Sequence, residues 1–196
     1  MQYRDISTDT KSVYRLEASE EAVFFLFNRS DDITIELAGP GATAHVFALY
    51  SGRENMKQSL TLTQKHLAPD TISSALVKAA LDGQASFNYT GAISIMPLAH
   101  RSDASQESRA LLLSSNARAE ARPALEILAH DVKCHHAATT APINAESLFF
   151  ARSRGLSAEQ AQELFVAGFF SEAIERMKHF GVSTDLVKAH VTQQIS

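Results

Sequence analysis

The residues with the widest chemical reach stand together in Asp131-Val132-Lys133-Cys134-His135-His136. A thiolate beside an imidazole is a soft to borderline ligand pair suited to zinc or iron. If the segment is a strand, side chains alternate between faces, so Cys134 and His136 share one side and His135 takes the other. Two ligands leave a tetrahedral site half empty, and the rest must come from another chain or a bound cluster. On residue types alone, Cys134 reads as a small core residue and His136 as a hydrogen-bonded histidine. A thiol activated by histidine also fits the types, but parallel side chains on one strand face argue against it. His130 is a further candidate ligand close to this run, while His45, His66 and His100 are scattered and read as exposed or satisfied.

No GxSxG, HExxH, P-loop or dinucleotide fingerprint occurs, and Gly39-Pro40-Gly41 is followed by strand-like residues instead of a helix. Asp and Glu are scattered through the strand-rich region without a convergent pair. A β-solenoid enzyme acting on carbohydrate is therefore a distant alternative.

The elements that must position these residues change texture once. Between about residues 20 and 140, short apolar runs such as Ala22–Phe27, Ile33–Leu37, Ala44–Tyr50, Ala75–Leu81, Ala85–Tyr89 and Ala92–Met96 are separated by turn residues. None is long enough for a convincing helix, and alternation in Ile33-Thr34-Ile35-Glu36-Leu37 and Leu60-Thr61-Leu62-Thr63 predicts strands with one wet face. A sandwich, a barrel and a β-solenoid all produce this pattern. The Arg101-Ser102-Asp103 and Glu107-Ser108-Arg109 stretch reads as a solvated loop. After Pro142 the spacing becomes helical: Asn144 is placed to cap Ala145–Arg154, Gly155 to end it, and Ser157-Ala158-Glu159-Gln160 to form a capping box. A last helix is expected from Ser183-Thr184-Asp185, carrying Leu186, Val187, Val191 and Ile195.

The 196 residues allow one domain with an appendage or two small ones. With 45% hydrophobic residues, 20% charged residues and a net charge of −4, the composition is that of a soluble globular chain with no general affinity for nucleic acid. One cysteine excludes an internal disulfide framework. No apolar run approaches the ~18 residues that span a bilayer. The start, Met1-Gln2-Tyr3-Arg4-Asp5, lacks the apolar stretch of a signal peptide, so a cytoplasmic protein is expected. The tail holds Phe149, Phe150, Phe165, Phe169 and Phe170, more aromatics than a few helices can bury among themselves.

An ordered set of motifs runs from Asp103-Ala104-Ser105-Gln106 and Leu111-Leu112-Leu113-Ser114 through Pro123-Ala124-Leu125-Glu126-Ile127 and Asp131-Val132-Lys133-Cys134-His135-His136-Ala137-Ala138-Thr139. It continues to Leu148-Phe149-Phe150 and Ser153-Arg154-Gly155-Leu156. Over residues 74–180 it resembles the C-terminal half of the SufB/SufD family of the SUF iron–sulfur cluster assembly system, and it is closer to SufD. The resemblance implies a right-handed parallel β-helix over residues 1–143 followed by a small helical domain over residues 144–196. It implies a non-enzymatic scaffold that holds a nascent iron–sulfur cluster at a subunit interface, with Cys134 and His136 as ligands and His135 and His130 as further possibilities. The implied partners are a SufB-like subunit, or a second copy of this chain, and a SufC-like ATPase. Phe149, Phe150, Arg154, Phe165, Phe169 and Phe170 are the expected docking residues for the ATPase. His135 stands where the family usually has Ser or Glu, and Ala137 where it has Gly or Glu. The chain reads as a short form, and a purely structural SufD-like subunit without a cluster is the alternative.

Overall fold

Strands of two textures alternate along the chain, and the difference tells which wall of the fold is covered. The computed structural model describes residues 1–185, 187 and 188. Strands β1 (Gln2–Asp5), β3 (Glu21–Phe27), β5 (Thr43–Gly52), β7 (Ile72–Leu81), β9 (Asp103–Leu112) and β11 (Lys133–Pro142) form one sheet in that order. Strands β2 (Val13–Leu16), β4 (Asp31–Leu37), β6 (Lys57–His66), β8 (Ser86–Ile95) and β10 (Arg118–Ile127) form the other, and every pairing is parallel. Neighbours within a sheet are thus one full coil apart in sequence. The chain winds as a right-handed parallel β-solenoid, which selects one of the three architectures that periodicity leaves open.

The apolar run of β3 is buried on both faces, with Phe24 and Leu26 inside the solenoid and Val23 and Phe25 outside it. In β6, only Leu60 and Leu62 are buried among the apolar residues, and Thr61 and Thr63 face outward. A near-continuous apolar strand needs a cover on both sides, and an alternating one can leave a face in water. The cover is α2 (Ala158–His179), which lays Val166, Phe170, Ala173, Ile174 and Met177 against Phe25, Phe47, Leu49 and Leu76. Each fully buried aromatic or aliphatic side chain contributes roughly 1.5–3 kcal/mol, so helix and solenoid are held by one continuous core across Pro142.

Beneath that helix lies a charged contact. Lys78 Nζ, on a side chain only 1% exposed, donates to Phe169 O at 2.5 Å and to Glu172 Oε2 at 2.6 Å. The same ammonium sits 4.4 Å from the Phe169 ring centre. Arg109 and Arg176 also reach Glu172, and Arg176 bonds Glu107. Residues 103–112 are therefore a strand and not a solvated loop. Ala104, Gln106 and Ser108 point inward, and Glu107 and Arg109 are held on the outer face beside α2.

Corner residues stack as the strands do. Ser19, Gly41, Asp70, Arg101 and Asp131 all have φ between 55° and 73°. The amides of Ser19, Gly41, Asp70 and Arg101 donate to carbonyls one coil further on, at Pro40, Pro69, His100 and Asp131. One glycine among five left-handed corners is why no glycine repeat marks the coils in the sequence. Gly91 is not a break either, since β8 runs through it and joins two expected runs. Pro123 lies in β10, the last strand of its sheet, where a missing donor is tolerated.

The helix signals act as expected. Asn144 caps α1 (Ala145–Ser153) by accepting from Ser147 N, and Ser157 with Gln160 forms a complete capping box. Gly155 and Gly181 take left-handed φ at the two helix ends. In the expected last helix, Lys188 N donates to Thr184 O and Val187 is buried; Leu186, Val191 and Ile195 lie outside the described residues. Among the described residues no helix is long and apolar enough to cross a membrane.

Candidate functional site

β11 is the last strand of its sheet and pairs only with β9 among the described residues. The ladder sets Cys134 beside Ala104, His135 beside Ser105 and His136 beside Gln106. Alternation then separates the faces as the sequence predicts. Cys134 packs inward with Val132 against Ile93, Ile95, Ala99, Ala104 and Ala129. Burial, helped by the Asp103 carboxylate, pushes its thiol above the ordinary cysteine range. In the unaccompanied chain Cys134 is thus a protonated thiol among aliphatic groups.

His136 is also turned inward, and both ring nitrogens are enclosed without a hydrogen-bond partner among the described residues. Burial, with His135 beside it, holds its basicity below the usual histidine value. His135 lies on the outer face and lines a cleft with Glu107, Arg176, His179 and Phe180. His130 is exposed in the corner before β11, where its carbonyl lies 3.3 Å from His100 Nδ1. Among the described residues no three His, Cys, Asp or Glu groups gather as a metal site. Cys134 and His136 are therefore two candidate ligands on one strand face, with no third beside them among the described residues. His45 and His66 have local partners: His45 Nδ1 is 2.6 Å from Ser74 Oγ, and His66 lies between Thr71 Oγ1 and Ser73 Oγ at 2.7 and 2.8 Å.

The interior changes character toward this end. One inward column runs Val46, Ala75, Gln106, His136; another runs Ile35, Gln64, Ile93, Leu125. Gln64 Nε2 donates to Ser73 Oγ at 2.6 Å, and Gln106 Nε2 donates to Ala92 O at 3.1 Å. The amide oxygens of both glutamines and the Tyr89 hydroxyl are buried without partners among the described residues. Sequence reasoning missed these residues. For Gln64 the signal was present, since it falls in phase with inward Leu60 and Leu62, whereas Gln106 was hidden by reading its strand as a loop.

The open end, unpaired among the described residues, is also apolar: Leu125 is 53% exposed, Ile127 42% and Leu128 49%. A second exposed patch lies on the helices, where Phe149 is 75% and Phe150 58% exposed. The Arg154 guanidinium stacks 3.4 Å from the Phe150 ring centre, above a groove lined by Ala151, Leu156, Leu164 and Phe165. The tail's aromatics thus divide. Phe170 is fully buried against the sheet and serves the fold, Phe169 is half-buried over Lys78, and Phe149 and Phe150 face solvent.

Comparison with known proteins bears on both the coils and the site. The sequence matches the SufBD core domain of the SUF system for FeS cluster assembly over residues 21–169, which starts well before the motifs around β9. An iron–sulfur cluster assembly SufBD family protein of Mycobacterium leprae is 34% identical over 151 residues, 73% of this chain and 38% of the relative. The iron–sulfur cluster assembly protein SufD of Bacillus subtilis is 30% identical over 165 residues, 83% of this chain and 38% of its own. The SufD of Escherichia coli is 34% identical over 113 residues, 58% of this chain and 26% of its own. The chain spans well under half the length of these relatives. Because the match runs through the coils from β3 to α2 and includes the strand that carries Cys134 and His136, this chain belongs to the SufBD core domain family, on the SufD-like side.

Proposed function

We propose that this chain is a non-enzymatic scaffold component of iron–sulfur cluster assembly. Its end strand holds a nascent cluster as cargo through Cys134 and His136, with the remaining ligands supplied by a subunit that covers β10 and β11. That subunit is a SufB-like chain or a second copy of this one. The observation that carries the reading is the position of both residues on β11, an edge strand that pairs only with β9 among the described residues, because an uncovered parallel edge is a template for another chain. A SufC-like ATPase docks on the patch around Phe149, Phe150 and Arg154, and ATP hydrolysis is the work of that partner. The setting is the cytoplasm.

Ligation requires two changes at the end strand. The Cys134 thiol must lose its proton, and an enclosed His136 nitrogen must turn toward the partner. Covering the edge supplies both, because iron held between the two chains displaces the thiol proton to water and accepts the lone pair of the ring nitrogen.

The test is anaerobic reconstitution with iron and sulfide in the presence of the SufB-like subunit and the ATPase, for wild type, Cys134→Ala and His136→Ala. Loss of iron and sulfide in both variants, with the complex intact by light scattering, is the expected result. Unchanged content in both would overturn the ligand assignment. A second reading, a structural subunit that holds no cluster, is favoured by the aliphatic packing of Cys134. It predicts an intact complex and equal iron in all three samples.

A further inference from the structure

The interior beneath His136 holds a group of polar atoms that fit one another better than their present isolation suggests. His136 is the ladder partner of Gln106, and both side chains are directed inward. Neighbouring strands lie about 4.8 Å apart, so the two side chains are stacked neighbours. The Gln106 amide is already oriented, since its Nε2 donates to Ala92 O and its oxygen is left free. Gly91 provides the space: a Cβ there would overlap Gln106 Oε1 and lie 2.7 Å from the Tyr89 hydroxyl. Tyr89 and Gln106 are buried to 1% and 0% exposure, and the Tyr89 hydroxyl, Gln106 Oε1 and both His136 nitrogens have no partner among the described residues.

We propose that Gln106 is the positioning residue of His136, its amide oxygen accepting a hydrogen bond from one ring N–H and so leaving the other nitrogen as a lone-pair donor. An amide oxygen has two acceptor sites. One takes the Tyr89 O–H and the other takes the His136 N–H, so a single atom satisfies two buried donors. The backbone is fixed by the ladder, and a turn of the imidazole completes the contact. A neutral imidazole carries one proton, and the partner of the protonated nitrogen decides which nitrogen is free to ligate. Gly91 belongs to the same device, because any side chain there displaces the Gln106 oxygen. The inference rests on the reading of His136 as a cluster ligand.

The test uses the full chain with ¹⁵N-labelled histidine and reads the His136 tautomer from long-range nitrogen–carbon correlations at one fixed pH. The expected wild-type result is a single tautomer, and a mixture in wild type overturns the proposal whatever the variants do. Gln106→Met should convert the single tautomer to a mixture, Gln106→Glu should restore it, and Tyr89→Phe should leave it unchanged. A single tautomer retained in folded Gln106→Met overturns the proposal. If that variant does not fold, Gly91→Ala removes the acceptor by displacement and must give the same mixture. Iron and sulfide content after reconstitution of His136→Ala separates the two claims: retention there sinks the ligand reading, and the tautomer result then stands or falls alone.

Discussion

Lys78 on β7 and Glu172 on α2 meet at 2.6 Å across the boundary between solenoid and helix, with the lysine side chain 1% exposed and the glutamate side chain 35% exposed. The pair is asymmetric. Glu172 keeps Arg109 and Arg176 whatever Lys78 does, whereas among the described residues Lys78 has only Phe169 O as a further hydrogen-bond acceptor.

Truncating the buried member should therefore cost more than replacing its shape. Lys78→Ala removes a buried stem, a donor and a charge, and a loss of about 3 kcal/mol is expected. Lys78→Met keeps the stem in its apolar surroundings and should lose less than about half of that. Urea unfolding midpoints at constant m-value check both; equal losses would show that the charge and not the packing dominates.

Acid should weaken the fold through His66. This imidazole is fully buried between Thr71 and Ser73, and burial lowers its pKa from 6.5 to about 4. As pH falls below 6.5 the unfolded chain takes up a proton that the folded chain refuses, so stability declines until the folded value near 4 is passed. The decline amounts to about 3 kcal/mol. His66→Gln should flatten this part of the stability profile, measured by chemical denaturation from pH 7 to 4. A profile as steep in the variant as in wild type would assign the loss to other groups.

The parts of this architecture that sequence exposes are those with local causes. The strands from Ala22 to Tyr50, the cap at Asn144, the box at Ser157 and the facing of Cys134 and His136 follow from alternation and short-range hydrogen bonding. Coil stacking is not local, because Ser19, Gly41, Asp70, Arg101 and Asp131 occupy equivalent corners with no one residue type common to them. Residues 103–109 were hidden for a related reason. Gln106 and Ser108 are polar side chains at inward positions, and Glu107 and Arg109 answer charges on α2, so the strand carries no clear apolar alternation. The choice of solenoid came from resemblance. The division of the phenylalanines depends on which helix face meets the sheet, which the tail alone does not reveal.

That division gives a third expectation. Phe149→Ser and Phe150→Ser should leave stability within about 0.5 kcal/mol of wild type, as exposed positions do. Titration calorimetry with the SufC-like ATPase should show at least about tenfold weaker binding for the pair, a loss of roughly 1.4 kcal/mol. Phe170→Ala should do the opposite, costing about 3–5 kcal/mol of stability through the cavity it opens. Undiminished ATPase binding by the double surface variant would move the docking surface elsewhere.

Gly39 supplies a test of the coil corners. A Cβ at this position would overlap the backbone of Ala18, one coil below. Backbone cannot step aside as a flexible side chain can, so Gly39→Ala is expected to destabilise by more than about 2 kcal/mol. Circular dichroism melting checks it, and a melting temperature unchanged from wild type would mean that the two coils can part without cost.

Because each strand is paired only to its neighbours one coil away, mechanical support is unevenly shared along the axis. α2 braces β3, β5 and β7 from outside, while among the described residues β11 pairs with β9 alone. The molecule behaves as a zipper fastened in the middle and loose at one tip. Amide exchange should quicken from β5 toward β11, and the tip is the strand that bears Cys134 and His136. Brief unfastening there would uncover ring nitrogens and a thiol that the closed form keeps hidden, and an arriving subunit would take the place of the missing next tooth.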